Sequence, residues 1–269
     1  MTDNKRIAIF CVAYHSYPEL YHYLDTIGLA AKATDGKAEV DVFVADNSDR
    51  QSQEITYTPH HFHLRVFPFY QNLGYFGAVR KMMEEVSPLS YDYIVISNVD
   101  IRLAEDTFTR LISDEKREDN IGWIAPQIFS MKENRDRNPK IMNRYALRKL
   151  KLLRLSYQYP VLHRLYTMTA YKTKRLIRRE AGNVYAGHGS FIILTHQYFE
   201  RCGIIDYPIF LFDEEIYLAE MCRTHQLSVY YEPQITVHDE DHVSTEKMTS
   251  SFYYQCNYEA TNYIIHRFY

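Results

Sequence analysis

"YDYIVISNVDIRL", residues 91–103, decides how this chain is read. Its first half mixes β-branched and aromatic residues as a buried strand does, and it then runs into Asn98, Val99 and Asp100. Side chains two apart on an extended chain point the same way, so Asn98 and Asp100 are expected on one face at the strand's carboxyl end. Open α/β sheets bind their ligands at that end. Asn and Asp also close strands as ordinary turn residues, and this stretch alone leaves both readings open.

Around it, strands alternate with helices. "RIAIFCVAY" (6–14), "AEVDVFVAD" (38–46) and "HLRVFPF" (63–69) read as strands, "GYFGAVRKMMEEV" (74–86) as a helix and "IGWIAP" (121–126) as a further short strand. The alternation predicts an α/β fold with a mainly parallel sheet covered by helices. "SYPEL" predicts a helix start with Ser16 as cap, Pro18 in the first turn and Glu19 closing a capping box. Past residue 180 come a glycine turn feeding a strand, "GHGSFIIL", a short helix closed by Gly203, and a helix opened by Asp213, Glu214 and Glu215. "LSVYYEPQITVHDEDH" predicts a strand, a proline turn and a second strand ending in His238, and residues 244–269 a helix. No internal repeat or low-complexity segment interrupts the pattern.

With 269 residues, 46% of them hydrophobic, the chain is long enough for one large domain or two intimately packed halves. A net charge of -3 gives no global nucleic-acid signal. Cys11, Cys202, Cys222 and Cys256 lack CxxC or metal-finger spacing and read as reduced thiols of a cytosolic protein. The N-terminal apolar run is too short for a signal peptide, and no run approaches the roughly 18 apolar residues of a spanning helix. Charge is concentrated locally: twelve Lys and Arg fall between Lys140 and Glu180, opposed only by Glu180.

Dinucleotide-binding folds place glycines after the first strand, where this chain has "CVAYHSYPEL". Any diphosphate would therefore have to be neutralised by something other than a glycine loop, and a divalent ion on a strand-end carboxylate would do so, which points to Asp100.

In order, "VAYHSYPEL", "VADNSD", "QNLGYFGAVRKMME", "ISNVD", "GHGSFIIL", "IFLFDEEIYLAEMCR" and "YYEPQITVHDEDHVS" resemble glycosyltransferase family 2, the inverting nucleotide-sugar transferases of GT-A fold. The likeness spans residues 7–244 and is nearest to bacterial rhamnosyltransferases. It implies one GT-A domain, with a nucleotide-sugar half (1–135), a basic amphipathic insertion (136–180) and an acceptor half with a C-terminal helix (181–269), the last carrying a smaller sheet.

By position, the resemblance places Asp46 on a pyrimidine N–H with Ala13 and Tyr14 lining the base, since a carboxylate only accepts hydrogen bonds. Locally, Asp46 and Asn47 also read as a turn pair. Asn72 and Arg80 become donors to the nucleotide sugar and diphosphate, with Gly74 and Gly77 allowing close backbone approach. Asn98 and Asp100 match the family's Asp-x-Asp motif with a neutral first position. Asp100 is thereby the ligand of Mg²⁺ or Mn²⁺, Asn98 a ribose or outer contact, and His238 a further ligand with His242 as rival. Gly187 and Gly189 give the donor sugar room, and His188 a hydroxyl contact.

Three adjacent acids at a helix start suit the helix dipole. Beside the apolar "PIFLF" they also repel one another, which pushes carboxylate pKa values upward as a general base requires. Periodicity does not choose among them; the resemblance places the base second and selects Glu215, with Glu214 and Asp213 at its side.

The implied reaction moves sugar from UDP- or dTDP-sugar to a hydroxyl of a saccharide, lipid-linked in many bacterial members, in cell-surface polysaccharide (O-antigen or capsule) synthesis. The interleaved Leu, Tyr and basic residues of 140–180 are expected at the inner face of the cell membrane, or else as a solvated helical pair or an RNA contact. The tyrosine-rich surface leaves a homo-oligomer open. A sugar nucleotidyltransferase would need a glycine-rich basic loop that is missing, whereas a non-catalytic carbohydrate-binding module on the same fold stays open.

Overall fold

A computed structural model describes residues 4–49, 54–113, 120–164, 180–240 and 249–269. His242 and the basic residues from Lys172 to Arg179 lie outside the described residues.

The chain begins with β1 (Lys5–Ala13), α1 (Tyr17–Lys32), β2 (Ala38–Asp46), β3 (His63–Pro68), α2 (Tyr75–Met83) and β4 (Tyr93–Asn98). It continues through β5 (Ile101–Leu103), α3 (Thr107–Ser113), β6 (Ile121–Ser130), β7 (Arg135–Asp136) and α4 (Leu147–Gln158). β8 (Gly182–Val184), β9 (Phe191–Thr195), α5 (His196–Cys202), α6 (Glu214–Thr224), β10 (Ser228–Asp239) and α7 (Ser250–Phe268) complete it.

Among the described residues the strands form one ten-stranded sheet in the order β3-β2-β1-β4-β9-β6-β10-β5, with β7 on β6 and β8 on β10. β1 pairs in parallel with β2 and β4, and β6 with β10. β9 runs antiparallel between β4 and β6, so the carboxyl ends of β1, β2, β4, β6 and β10 all meet one edge. The short strands of the second half join this sheet rather than standing apart from it. Both faces are buried, as the continuous apolar runs demand. Ile7, Ile9 and Cys11 pack under α1 and α3, while Ala8 and Phe10 pack with α2, α6 and α7.

Three expectations are corrected. Ser16 caps α1 by position, yet its Oγ makes no cap bond and instead accepts from the N–H of Tyr14 at 3.4 Å, so no capping box closes. The segment containing Pro233 is one continuous strand, β10, with a register shift between Glu232 and Thr236 in place of a turn. A proline removes one donor, and a bulge absorbs that loss without ending the strand. Finally, β4 ends at Asn98, and the chain bends through Val99 and Asp100 before re-entering as β5. Asn98 and Asp100 are thus not on one continuous strand: the bend carries Asp100 from β4 to the far end of β10. All four cysteines are free thiols, three of them buried.

Candidate active site

At the carboxyl edge, Ala13 and Asp46 stand in register on β1 and β2. Asp46 is buried; its Oδ1 accepts from the N–H of Ser48 at 3.0 Å and its Oδ2 from the Tyr17 hydroxyl at 3.3 Å. Tyr14 is half exposed beside it. A rigid carboxylate with an aromatic neighbour can accept from a planar N–H while a ring covers the face.

Next along the edge, Asn47 donates from Nδ2 to the carbonyl of Gly74 at 3.0 Å, and Asn72 Oδ1 accepts from Gly74 N–H at 3.0 Å. Gly74 has φ +75, and a Cβ there would lie 2.2 Å from the carbonyl oxygen of Phe210. Only glycine tolerates both the conformation and the contact. That contact sets the Asn72–Gly74 turn against the loop leading into Asp213, Glu214 and Glu215. Arg80, grouped with Asn72 in the sequence, pairs instead with Asp206 at 3.2 Å. Two turns of helix separate it from Gly74.

Tyr75 joins the two sides. Its hydroxyl donates to the carbonyl of Gly189 at 2.9 Å. Burial first, and then the negative charges of Glu214, Glu215 and Asp100 together with the Tyr23 hydroxyl, hold its pKa well above that of a free tyrosine. Carboxylates predicted from separate stretches are thus near enough for their charges to act on one phenol.

Residues 187–190 are the hub of the site. Ser190 carbonyl accepts from Asn98 N–H at 3.0 Å, and His188 N–H donates to Asn138 Oδ1 at 2.7 Å. His188 Nδ1 accepts from Ser190 N–H, so any contact with a substrate hydroxyl falls to Nε2. Gly187 lies flat on Trp123 and Ala125, and a Cβ at Gly189 would meet Glu215 Oε1 at 3.0 Å. Gly77 has no comparable crowding.

Asp100 is buried, and its carbonyl accepts from Glu240 N–H at 3.0 Å, extending the β5–β10 ladder by one step. His238, opposite Arg102 in that ladder, is two residues from this contact. Arg102 pairs with Glu240 at 2.6 Å. Among the described residues no group of three or more His, Cys, Asp and Glu gathers in metal-ligand geometry. The candidate donors along this ladder are the Asp100 carboxylate and the His238 imidazole, whose ring packs edge-on to Phe129 with centroids 6.3 Å apart.

The acid cluster sits on strained backbone: Phe212 and Asp213 both have positive φ, 76° and 58°, where L-residues are rare. Tyr207 hydroxyl donates to Phe212 carbonyl at 2.6 Å, and Thr261 Oγ1 to Asp213 Oδ2 at 2.9 Å, holding the turn. The upward shift expected of all three acids holds for Glu214 and Asp213 and fails for Glu215, the residue selected as base. Burial, followed by the charges of Glu215 and Asp213, raises Glu214 from 4.5 to about 8. Burial also raises Asp213 to about 6. For Glu215 burial is outweighed by Lys140, whose Nζ stands 3.2 Å away, and by Gly189 N–H at 3.1 Å, and its pKa falls. The opposite directions of the two shifts favour a proton on Glu214 over one on Glu215. A cavity of about 330 Å³ opens on this cluster, lined also by Lys140, Tyr145, Lys149, Leu153 and Tyr157.

Tyr17, Tyr75 and Lys140 escaped the sequence reading as site residues. Tyr75 carried a signal, directly following Gly74 inside a recognised motif; Lys140 carried none, because its partner is 75 residues away.

No family model matches the chain. It is 23% identical over 255 residues to N-acetylglucosaminyl-diphospho-decaprenol L-rhamnosyltransferase of Mycobacterium tuberculosis, strains CDC 1551 and H37Rv, covering 90% of this chain and 78% of each relative. Among solved structures it is similar to GalNAc-T7 with UDP, GalNAc and Mn²⁺, with a TM-score of 0.57 and 10% identity over 91% of this chain. This chain spans 45% of that one. It is also similar to a mannosyltransferase of Pyrobaculum calidifontis in complex with GDP-Man and Mn²⁺, with a TM-score of 0.50 and 14% identity, covering 97% of this chain and 70% of the other.

Proposed function

We propose that this chain, a glycosyltransferase of GT-A fold, inverts the anomeric centre of a UDP- or dTDP-sugar as it passes the sugar to a hydroxyl of a lipid-linked saccharide. One observation carries the reading: Gly189 links the two sides of the site, its carbonyl accepting from the Tyr75 hydroxyl at 2.9 Å and its N–H donating at 3.1 Å to Glu215, which pairs with Lys140 at 3.2 Å beside an acid-lined cavity. The rhamnosyltransferase relative, whose name specifies a diphospho-decaprenol acceptor, supports the lipid-linked class.

The roles follow from the chemistry of each group. Asp46, Ala13 and Tyr14 hold the base, with Tyr17 fixing the Asp46 carboxylate. Asn72 and the Gly74 backbone border the diphosphate, and Asn98 the ribose. Asp100 and His238 suit Mg²⁺ or Mn²⁺ that arrives with the donor, because two protein ligands leave the other positions to phosphate oxygens and water. When bound, such an ion supplies positive charge to the departing diphosphate. Glu215 accepts the acceptor's hydroxyl proton as that oxygen attacks from the face opposite the diphosphate. Neutral Glu214 makes an ionised Glu215 tolerable, since two adjacent buried charges repel.

Release of nucleoside diphosphate from UDP- and dTDP-sugars with Mn²⁺ or Mg²⁺, wild type against Glu215→Gln, tests this reading. A loss of about 10²-fold or more is expected. Turnover within twofold of wild type removes Glu215 from the base role.

A further inference from the structure

Helix α4 has two apolar faces and only one is covered. Leu150, Leu153 and Tyr157 turn inward to the cavity of the acid cluster. Leu152, Leu155 and Tyr159 are exposed by 55%, 43% and 51%, and Val161 and Leu162 beyond the helix by 69% and 43%. Leu152 and Leu155, three apart on α4, share its outward face, and Tyr159, where the backbone leaves helical geometry, together with Val161 and Leu162 after it, extends the exposed apolar run. Arg148 and Lys151 flank it, exposed and without an ion pair among the described residues. From Arg137 to Arg179 the sequence has no Asp or Glu.

Charge and apolarity together select the occupant. A second copy of the chain would bring the same positive face against this one. Nucleic acid satisfies the basic residues but gives Leu152, Leu155 and Val161 nothing apolar to meet, since it is bound by phosphate contacts and ring stacking. An anionic bilayer satisfies both: acyl chains take the aliphatic stripe and headgroup phosphates the flanking cations. We infer that the outward face of α4 and the turn after it docks on an anionic lipid surface, with Leu152, Leu155, Tyr159, Val161 and Leu162 in the headgroup boundary.

This docking brings the acid cluster about one helix diameter, roughly 10 Å, from lipid. A second hollow, of about 520 Å³, reaches from Pro160 and Arg164 to Tyr157, and Tyr157 also lines the first cavity. The two hollows thus adjoin at Tyr157, and an acceptor anchored in the bilayer would approach Glu215 along this side of α4. That last step rests on the transferase reading; the docking itself does not.

Tryptophan placed in the full-length chain at Leu155 or Val161 reports on the contact, with Leu89→Trp, at another exposed site, as control. The probes are phosphatidylcholine vesicles with and without phosphatidylglycerol, carrying brominated acyl chains. Emission of the Leu155→Trp and Val161→Trp proteins should shift to the blue and be quenched on phosphatidylglycerol vesicles alone, while Leu89→Trp stays unquenched. Arg148→Gln with Lys151→Gln should weaken vesicle binding roughly 25-fold, about fivefold per charge. The double variant should turn over nucleotide sugar in solution like wild type, since neither residue lines the cavity. Equal binding to neutral vesicles, no binding, or equal quenching at Leu89 overturns the proposal, as does poly(U) binding without vesicle binding. Vesicle binding decides the docking whether or not any sugar is turned over, so a failed transferase reading is told apart from a failed docking face.

Discussion

Replacing Glu214 by glutamine is expected to stabilise the protein at alkaline pH and to leave it nearly unchanged in acid. The amide is isosteric with a protonated carboxyl, and its oxygen keeps the bond accepted from Phe212 N–H at 3.0 Å. In the wild type the native state holds the Glu214 proton up to about pH 8, while the unfolded chain releases it near 4.5. The unfolded state binds fewer protons between these values, so stability falls as pH rises through that window and levels off above it. At 1.36 kcal/mol per pH unit the ceiling is ~5 kcal/mol. Glu214 titrates jointly with Glu215 and the surroundings relax, which brings the expected gain to about 2 kcal/mol at pH 9, or roughly 4–8 °C in melting temperature. Thermal melts of wild type and variant from pH 4 to 10 would show the two curves parting above pH 4.5. A constant offset across that range would mean that the proton is not on Glu214. Kinetics should separate the neighbours as well: Glu214→Gln retains kcat within about tenfold at pH 7, whereas Glu215→Gln loses about 10²-fold or more.

Gly74→Ala should lower stability by about 2–4 kcal/mol in urea unfolding, because φ +75 and a 2.2 Å approach to the Phe210 carbonyl oppose any Cβ; an unchanged midpoint would contradict the contact. Tyr75→Phe removes the bond to the Gly189 carbonyl and should cost about 1 kcal/mol of stability. It should also reduce kcat several-fold with nucleotide affinity intact; equal losses in both would assign Tyr75 to donor binding. Asp100→Ala should abolish the extra melting-temperature gain that Mn²⁺ adds to UDP or dTDP, while the gain from nucleotide alone persists. A preserved metal increment would move the ion elsewhere.

How far the sequence alone could be read depends on how local each determinant is. Strands β1, β2, β4 and β9 were legible because both faces are buried and their runs are continuously apolar. Gly203 was legible as a helix stop because only its own φ, +74, is at issue. The capping box failed because Ser16 found a nearer donor in Tyr14. Asp100 was recognised as a strand-end carboxylate, but its neighbours on β10 come from 140 residues further along the chain, and no periodicity in 91–103 encodes the bend at Val99.

The acid cluster shows the same limit at its sharpest. Crowding and apolar flanks correctly announce that the cluster's carboxylates interact, since that follows from adjacency. Which one keeps the proton is set by a lysine and a glycine N–H, at 3.2 and 3.1 Å, that two other loops deliver. Lys140 is aimed by Asn138, whose side chain ties its turn to the Pro126 carbonyl at 2.7 Å and to His188 N–H at 2.7 Å. The 187–190 loop thus fixes both the cation and the N–H that ionise Glu215, while Tyr75 fixes that loop to the Asn72–Gly74 turn. A change at any of these points should be felt at Glu215 before it is felt in the fold, because each bond is worth little against the core yet the carboxylate depends on their sum.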